Sequence, residues 1–199
     1  RSGHHRRVLV DRPPTLTIVF APSTPGPTAT EPITADCPRP VRRPIMLQGW
    51  HGLASVHWRY DPAVVQALLP AGFTVDTFDG SAWVGLLPFS MHRIRIPGLP
   101  AFGRWSSFPE TNIRTYIVDP DGRRGVWFCS LDITRLVPTL VARISYHLPY
   151  CWSSMDIRGD DSTITYRSRR RWPRPTASSS ADSLLELSIG DPIDPDAVE

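Results

Sequence analysis

The chain of 199 residues is 41% hydrophobic and 21% charged, with a formal net charge of +3, which describes one ordinary globular domain able to fold without staples. All 22 basic residues are arginine. A guanidinium keeps its proton in a protein, so a lysine Schiff base and every other use of a neutral side-chain amine are excluded. No apolar run approaches the roughly 20 residues that cross a bilayer. Cys37, Cys129 and Cys151 share no close spacing, and an odd cysteine count without a signal peptide points to a reducing cytoplasm.

Residues 1–44 read as a disordered tail. Arg1 to Arg12 is basic and contains His4 and His5. From Pro13 to Pro44 prolines recur among Thr, Ser, Ala and Gly, a composition that buries too little to offset the entropy of ordering. Val8–Val10 and Leu16–Phe20 are short apolar islands within it. A single domain is expected over 45–199.

Trp50 to Tyr60 alternates with period two and predicts one strand. Asp61-Pro62 opens a helix, with Asp as N-cap and Pro at the first helical position. Pro70-Ala71-Gly72 closes it. Phe73–Gly80 predicts a short strand and a turn at Asp79-Gly80. Ser81–Ile96 is a long strand, bent at Pro88, which cannot donate to a ladder. Pro97–Ser107 is a loop rich in Pro and Gly, long enough to cover a cavity mouth.

From Glu110 to Val118 the alternation is clearest. Thr111, Ile113, Thr115 and Ile117 form one face; Glu110, Asn112, Arg114 and Tyr116 form the other. Asp119-Pro120-Asp121-Gly122 supplies a turn, and Gly125–Asp132 returns as a strand rich in Val, Trp and Phe. Thr134–Ile144 predicts a short helix broken at Pro138. Two further strands are expected within Ser162–Trp172 and Ser183–Ile189. Strands joined by turns, with two short helices, make an α+β domain of mostly antiparallel β-structure.

Several chemistries lack their motif. His51, His57, His92 and His147 have no zinc-ligand spacing, there is no nucleophile elbow, and there is no glycine-rich phosphate loop. The run Arg167–Arg171 reads as a solvated strand end rather than a nucleic-acid footprint, because it has no aromatic stacking array beside it. No metal, cofactor, nucleic-acid or membrane partner is expected. What remains is the polar face of the central strand, with His57 and Tyr150 as contributors from other strands. Two readings stay open: a lining for a small-molecule site, in which a carboxylate and an arginine make directional, charge-assisted contacts, or a polar network that only fixes the fold.

The succession His57-Trp58, Leu69-Pro70-Ala71-Gly72, Phe78-Asp79-Gly80-Ser81-Ala82-Trp83-Val84-Gly85, Pro88-Phe89, Phe108 to Tyr116, Gly125 to Asp132 and Leu148-Pro149-Tyr150 resembles the YqjF-like family (DUF2071) of the acetoacetate decarboxylase-like superfamily. The resemblance spans roughly Arg42 to Trp172. It implies a conical antiparallel β-barrel with a central cavity and short flanking helices, in a copy truncated at its C-terminus. Decarboxylases of the superfamily use a lysine Schiff base and a glutamate on a strand. Phe108-Pro109-Glu110 is similar to the glutamate strand, and Leu148-Pro149-Tyr150 is similar to the lysine segment, with Tyr150 at the lysine position. The expected function is binding of a small carbonyl or carboxylate compound without imine chemistry. Arg114 would be the anchor, Asn112 and Tyr116 orienting donors, and His57 a second contributor. Glu110 would be the ion-pair partner of that arginine or, with Tyr150, the acid/base of an enolisation, hydration or dehydration if a reaction occurs. The alternatives are a structural or interaction module and an inactive fragment. Ligand identity and self-association are left open.

Overall fold

The structure is a computed structural model and describes residues 29–34, 39–101, 103–145, 147–160, 162–173 and 181–192. The basic opening, the apolar islands, Cys37 and residues 193–199 lie outside the described residues. The elements, in order, are β1 (Leu47–His51), β2 (Val56–Tyr60), α1 (Pro62–Gln66), β3 (Thr74–Val75), β4 (Thr77–Phe78), β5 (Ser81–Arg95), a 3₁₀ turn (Gly103–Ser106), β6 (Phe108–Val118), β7 (Arg124–Ile133), α2 (Leu136–Ser145), β8 (Tyr150–Gly159), β9 (Thr163–Trp172) and β10 (Asp182–Ser188).

Among the described residues one sheet holds all ten strands, with the main path β1-β5-β6-β7-β8-β9-β10. The pairs are antiparallel except β7 with β8, where Leu131, Asp132 and Ile133 lie beside Tyr150, Cys151 and Trp152 in parallel. That exception follows from the connection: α2 carries the chain back to the starting end, as a parallel pair requires.

The expected barrel is not formed. At one end of the sheet β10 pairs with β9 alone, and at the other β1 and β2 pair with β5 alone. Closure needs a continuous ladder with matched tilt and stagger. Here the first edge is two five-residue pieces, with Gly52 between them in the left-handed region at φ 54°. The two ends meet instead through a side chain: the Tyr166 hydroxyl of β9 donates to the Gly52 carbonyl. The sheet is curled and open.

The single strand expected over Trp50–Tyr60 is thus two strands on the same edge. Pro88 explains how β5 runs unbroken past them. Its carbonyl accepts from Ala54 N at 3.1 Å, so the side on which it lacks an N–H faces the gap between β1 and β2, where no ladder bond is lost. α1 is capped by Asp61, whose carboxylate accepts from Ala63 N at 2.8 Å. Gln66 at its end then holds the next segment, donating to Phe73 O at 2.9 Å and accepting from Val75 N at 2.8 Å.

The core lies on the middle strands. Phe89, Met91, Phe108 and Ile133 form a buried cluster against which Tyr150 and Ile94 pack. The polar face of β6 shares this side of the sheet, because Glu110 pairs with Phe89 and Ile133, and Asn112 with Leu87 and Leu131. On the opposite side Thr111 and Thr115 are buried as well. Residues 29–34 lie against the β6–β7 turn: Glu31 N donates to Gly122 O at 2.8 Å, and Arg124 Nε donates to Glu31 O at 2.7 Å.

Candidate functional site

Strand alternation puts Glu110, Asn112, Arg114 and Tyr116 on one face of β6, and the neighbouring strands decide what each of them meets. Glu110 is 3% exposed and sits among Phe89, Ile133 and the rest of the apolar cluster. Burial raises its pKa to about 8, which keeps it a neutral acid at physiological pH. Tyr150 comes alongside from β8, and burial followed by the Glu110 charge pushes its phenol up.

Arg114 occupies the third place on the face. Its register partners are Gly85 of β5 and, after a bulge, Phe128 of β7. His57 of β2 also pairs with Gly85, so one row across three strands reads His57, Gly85, Arg114. Glycine is what allows the next contact. A Cβ at position 85 would lie 2.7 Å from His57 Nε2, and without one the imidazole folds across the strand. His57 Nε2 then meets the Tyr116 hydroxyl at 2.7 Å, with the rings stacked at 5.8 Å between centroids.

Burial, then the Arg114 charge, lowers the His57 pKa below the ordinary histidine value, which keeps the ring neutral. A neutral ring carrying its hydrogen on Nδ1, toward Ser55 Oγ at 3.5 Å, accepts from Tyr116 through Nε2. Tyr116 in turn receives a long contact from Arg114 Nη2 at 3.5 Å, and the guanidinium carbon lies 5.6 Å from the centroid of its ring. The arrangement is a relay in which Arg114 polarises a phenol that rests on an imidazole.

The face therefore has two ends. Six residue steps along the strand carry Glu110 to Tyr116, about 20 Å. Glu110 and Arg114 do not form the ion pair that their spacing suggested. A cleft of about 430 Å³ opens at the outer end, against His57 and Tyr116, and is walled by Ile33, Asp76, Phe78, Trp83 and Arg124. Asp76 and Arg124 form an ion pair across its rim. No described residue of the loop 97–107 lines this cleft. The loop is tied elsewhere: Ser107 Oγ accepts from Arg93 N at 3.1 Å, and the Arg135 guanidinium lies over Trp105.

Sequence reasoning missed the cleft walls, which are Ile33 before β1, Asp76 and Phe78 at β4, Trp83 of β5 and Arg124 of β7. The only signal in the letters was Gly85, a glycine within a strand, which marks close approach of another group. It also missed the ion pair on the other side of the sheet. Arg170, expected to be solvated, donates to Asp132 through Nε at 2.9 Å and Nη2 at 2.8 Å, and Ser153 Oγ donates to the same carboxylate at 2.7 Å.

An open, mostly antiparallel sheet with a buried neutral acid and an arginine–tyrosine–histidine relay on its cored face is the class of protein this geometry defines. Residues 47–197 match DUF2071, described as an uncharacterized conserved protein (COG2071), and the chain belongs to that family. It is 35% identical over 137 residues to the uncharacterized protein YqjF of Bacillus subtilis (strain 168), a match covering 69% of this chain and 56% of the relative. Among solved structures, an acetoacetate decarboxylase-like enzyme from Sphingomonas wittichii RW1 is similar at 18% identity and TM-score 0.49, over 73% of this chain and 60% of that one. The acetoacetate decarboxylase from Legionella pneumophila is similar at 14% identity and TM-score 0.42, over 72% and 58%. Likeness at this level carries no residue roles or chemistry.

Proposed function

We propose that this protein binds a small carbonyl or carboxylate compound along the Arg114 end of the β6 face, admitted through the cleft beside His57 and Tyr116. The observation that carries the reading is a run of buried polar atoms. Glu110 Oε2, Asn112 Oδ1 and Arg114 Nε, on three successive residues of one face, have no hydrogen-bond partner among the described residues. Leaving such a group unsatisfied costs about 1–3 kcal/mol. A polar network whose task is to fix the fold satisfies its own members; this row does not. Arg114 supplies a charged fork for a carboxylate or carbonyl oxygen, and Tyr116, held by His57, supplies a directed hydroxyl.

With no lysine in the chain, no step passes through an imine. The acid available for chemistry is Glu110, protonated at neutral pH and backed by Tyr150. Only a ligand that extends from Arg114 past Asn112, about 13 Å along the strand, would meet Glu110 and could exchange a proton with it in an enolisation or dehydration. Thermal melting with a panel of short keto and hydroxy acids tests binding. At least one is expected to raise the melting temperature, and Arg114→Gln is expected to remove the rise. A panel without effect, or an effect that survives Arg114→Gln, would reject the reading.

A further inference from the structure

A second groove, of about 370 Å³, lies at the other end of β5 and takes no part in the site above. Its lining is residues 47–49 and His51 of β1, with His92, Arg93 and Arg95 of β5. Register fixes which side of the sheet it occupies. His51 pairs with Ser90 and Gly49 with His92, whereas the alternate residues Phe89 and Met91 pair with Glu110 and Phe108. The two imidazoles therefore stand on the face opposite Glu110.

Three features of this groove belong together. The His51 and His92 rings stack, with centroids 4.2 Å apart and planes 30° from parallel. Arg93 is held at φ 52°, where a residue with a Cβ is strained, beside the irregular step in β1 pairing between Leu47 and Gly49. Neither Arg93 nor Arg95 forms an ion pair with a carboxylate among the described residues, although seven other arginines do. Four basic side chains line one groove that no acid shares.

A metal fits this poorly. Rings stacked face to face do not converge their lone pairs on one point, two guanidiniums repel a cation, and no three His, Cys, Asp or Glu converge among the described residues. An anion fits well. Each guanidinium offers a planar fork, and each imidazole offers a donor. A planar carboxylate is satisfied by one fork, whereas a tetrahedral anion has oxygens for all four groups.

We propose that this groove is a binding site for a phosphate-type oxyanion, either free or as the phosphoryl group of a small molecule. Arg93 and Arg95 are its forks, and His51 and His92 its additional donors.

The test uses inorganic phosphate and, in a parallel arm, glycerol phosphate, at constant ionic strength set with chloride. Phosphate is expected to move the His51 and His92 imidazole resonances together. It is also expected to raise the melting temperature by about 3–6 °C at roughly ten times its Kd. Arg93→Gly combined with Arg95→Gln should abolish both effects. Glycine relieves the strained φ, so the variant stays folded. Arg114→Gln should leave both effects intact, which separates this site from the one on the other face. Tighter binding of glycerol phosphate assigns a phosphorylated compound; tighter binding of inorganic phosphate assigns the free ion. An equal rise with chloride alone, or a phosphate effect that survives the double variant, overturns the proposal.

Discussion

Gly85 shows how one missing atom arranges a site. His57, Arg114 and Tyr116 come from two strands, and they meet because the strand between them leaves its middle position bare. Gly85→Ala places a methyl 2.7 Å from His57 Nε2 and 2.9 Å from Leu87 Cδ1. The expected cost is about 1–3 kcal/mol by denaturant unfolding, together with a changed His57 imidazole resonance as the ring leaves Tyr116. Glu110 makes a different prediction. Its folded pKa, about 8, lies above its unfolded value, so the folded state holds a proton that the unfolded state has released. Its contribution is fully present below the unfolded value and is lost as pH rises toward about 8. Glu110→Gln should therefore flatten the fall in melting temperature across that window and melt higher than the parent at pH 8. His57 acts in the opposite sense. Its pKa is lowered, so stability drops as pH falls through the ordinary histidine value, and His57→Gln should remove that drop.

At the level of elements, the Asp132–Arg170 pair joins β7 to β9 across β8, with Ser153 of β8 donating to the same carboxylate. The Asp132 side chain is 5% exposed and that of Arg170 18%. Asp132→Ala leaves a buried guanidinium without its partner, and a loss of about 3–5 kcal/mol is expected from chemical denaturation. Replacing both with apolar residues, as in Asp132→Leu with Arg170→Met, should recover most of it. The elements themselves were largely legible. The alternation in β6, the Asp61-Pro62 helix start and the length of β5 are local patterns, and each stands in the structure. Long-range pairing was less legible. Within Trp50–Tyr60 the lone Gly52 hints at an irregularity, but it does not say that the break falls where β5 passes with Pro88. Nor does the string Arg167–Arg171 mark Arg170 as the one that faces Asp132. On the β6 face the alternation of Glu110, Asn112, Arg114 and Tyr116 was legible, but a pairing of Glu110 with Arg114 is not formed, because each lies beside a different pair of neighbours on β5 and β7.

For the whole molecule, the open sheet matters most. Phe89, Leu87, Leu131 and Ile133, among the most fully buried side chains, lie on the middle strands, whereas β10 touches one neighbour only. A barrel would have shielded every strand alike. An open sheet grades them, and the grading has a time axis. In heavy water, amides of β10 are expected to take up deuterium first and those of β6 last, so that mass gain moves inward from the margin. Because the Arg114 row lies on β6, a compound held there should slow exchange in the most protected ladder. Phosphate at His51 and His92 should slow it at the β1 rim instead, giving each occupant its own isotopic signature.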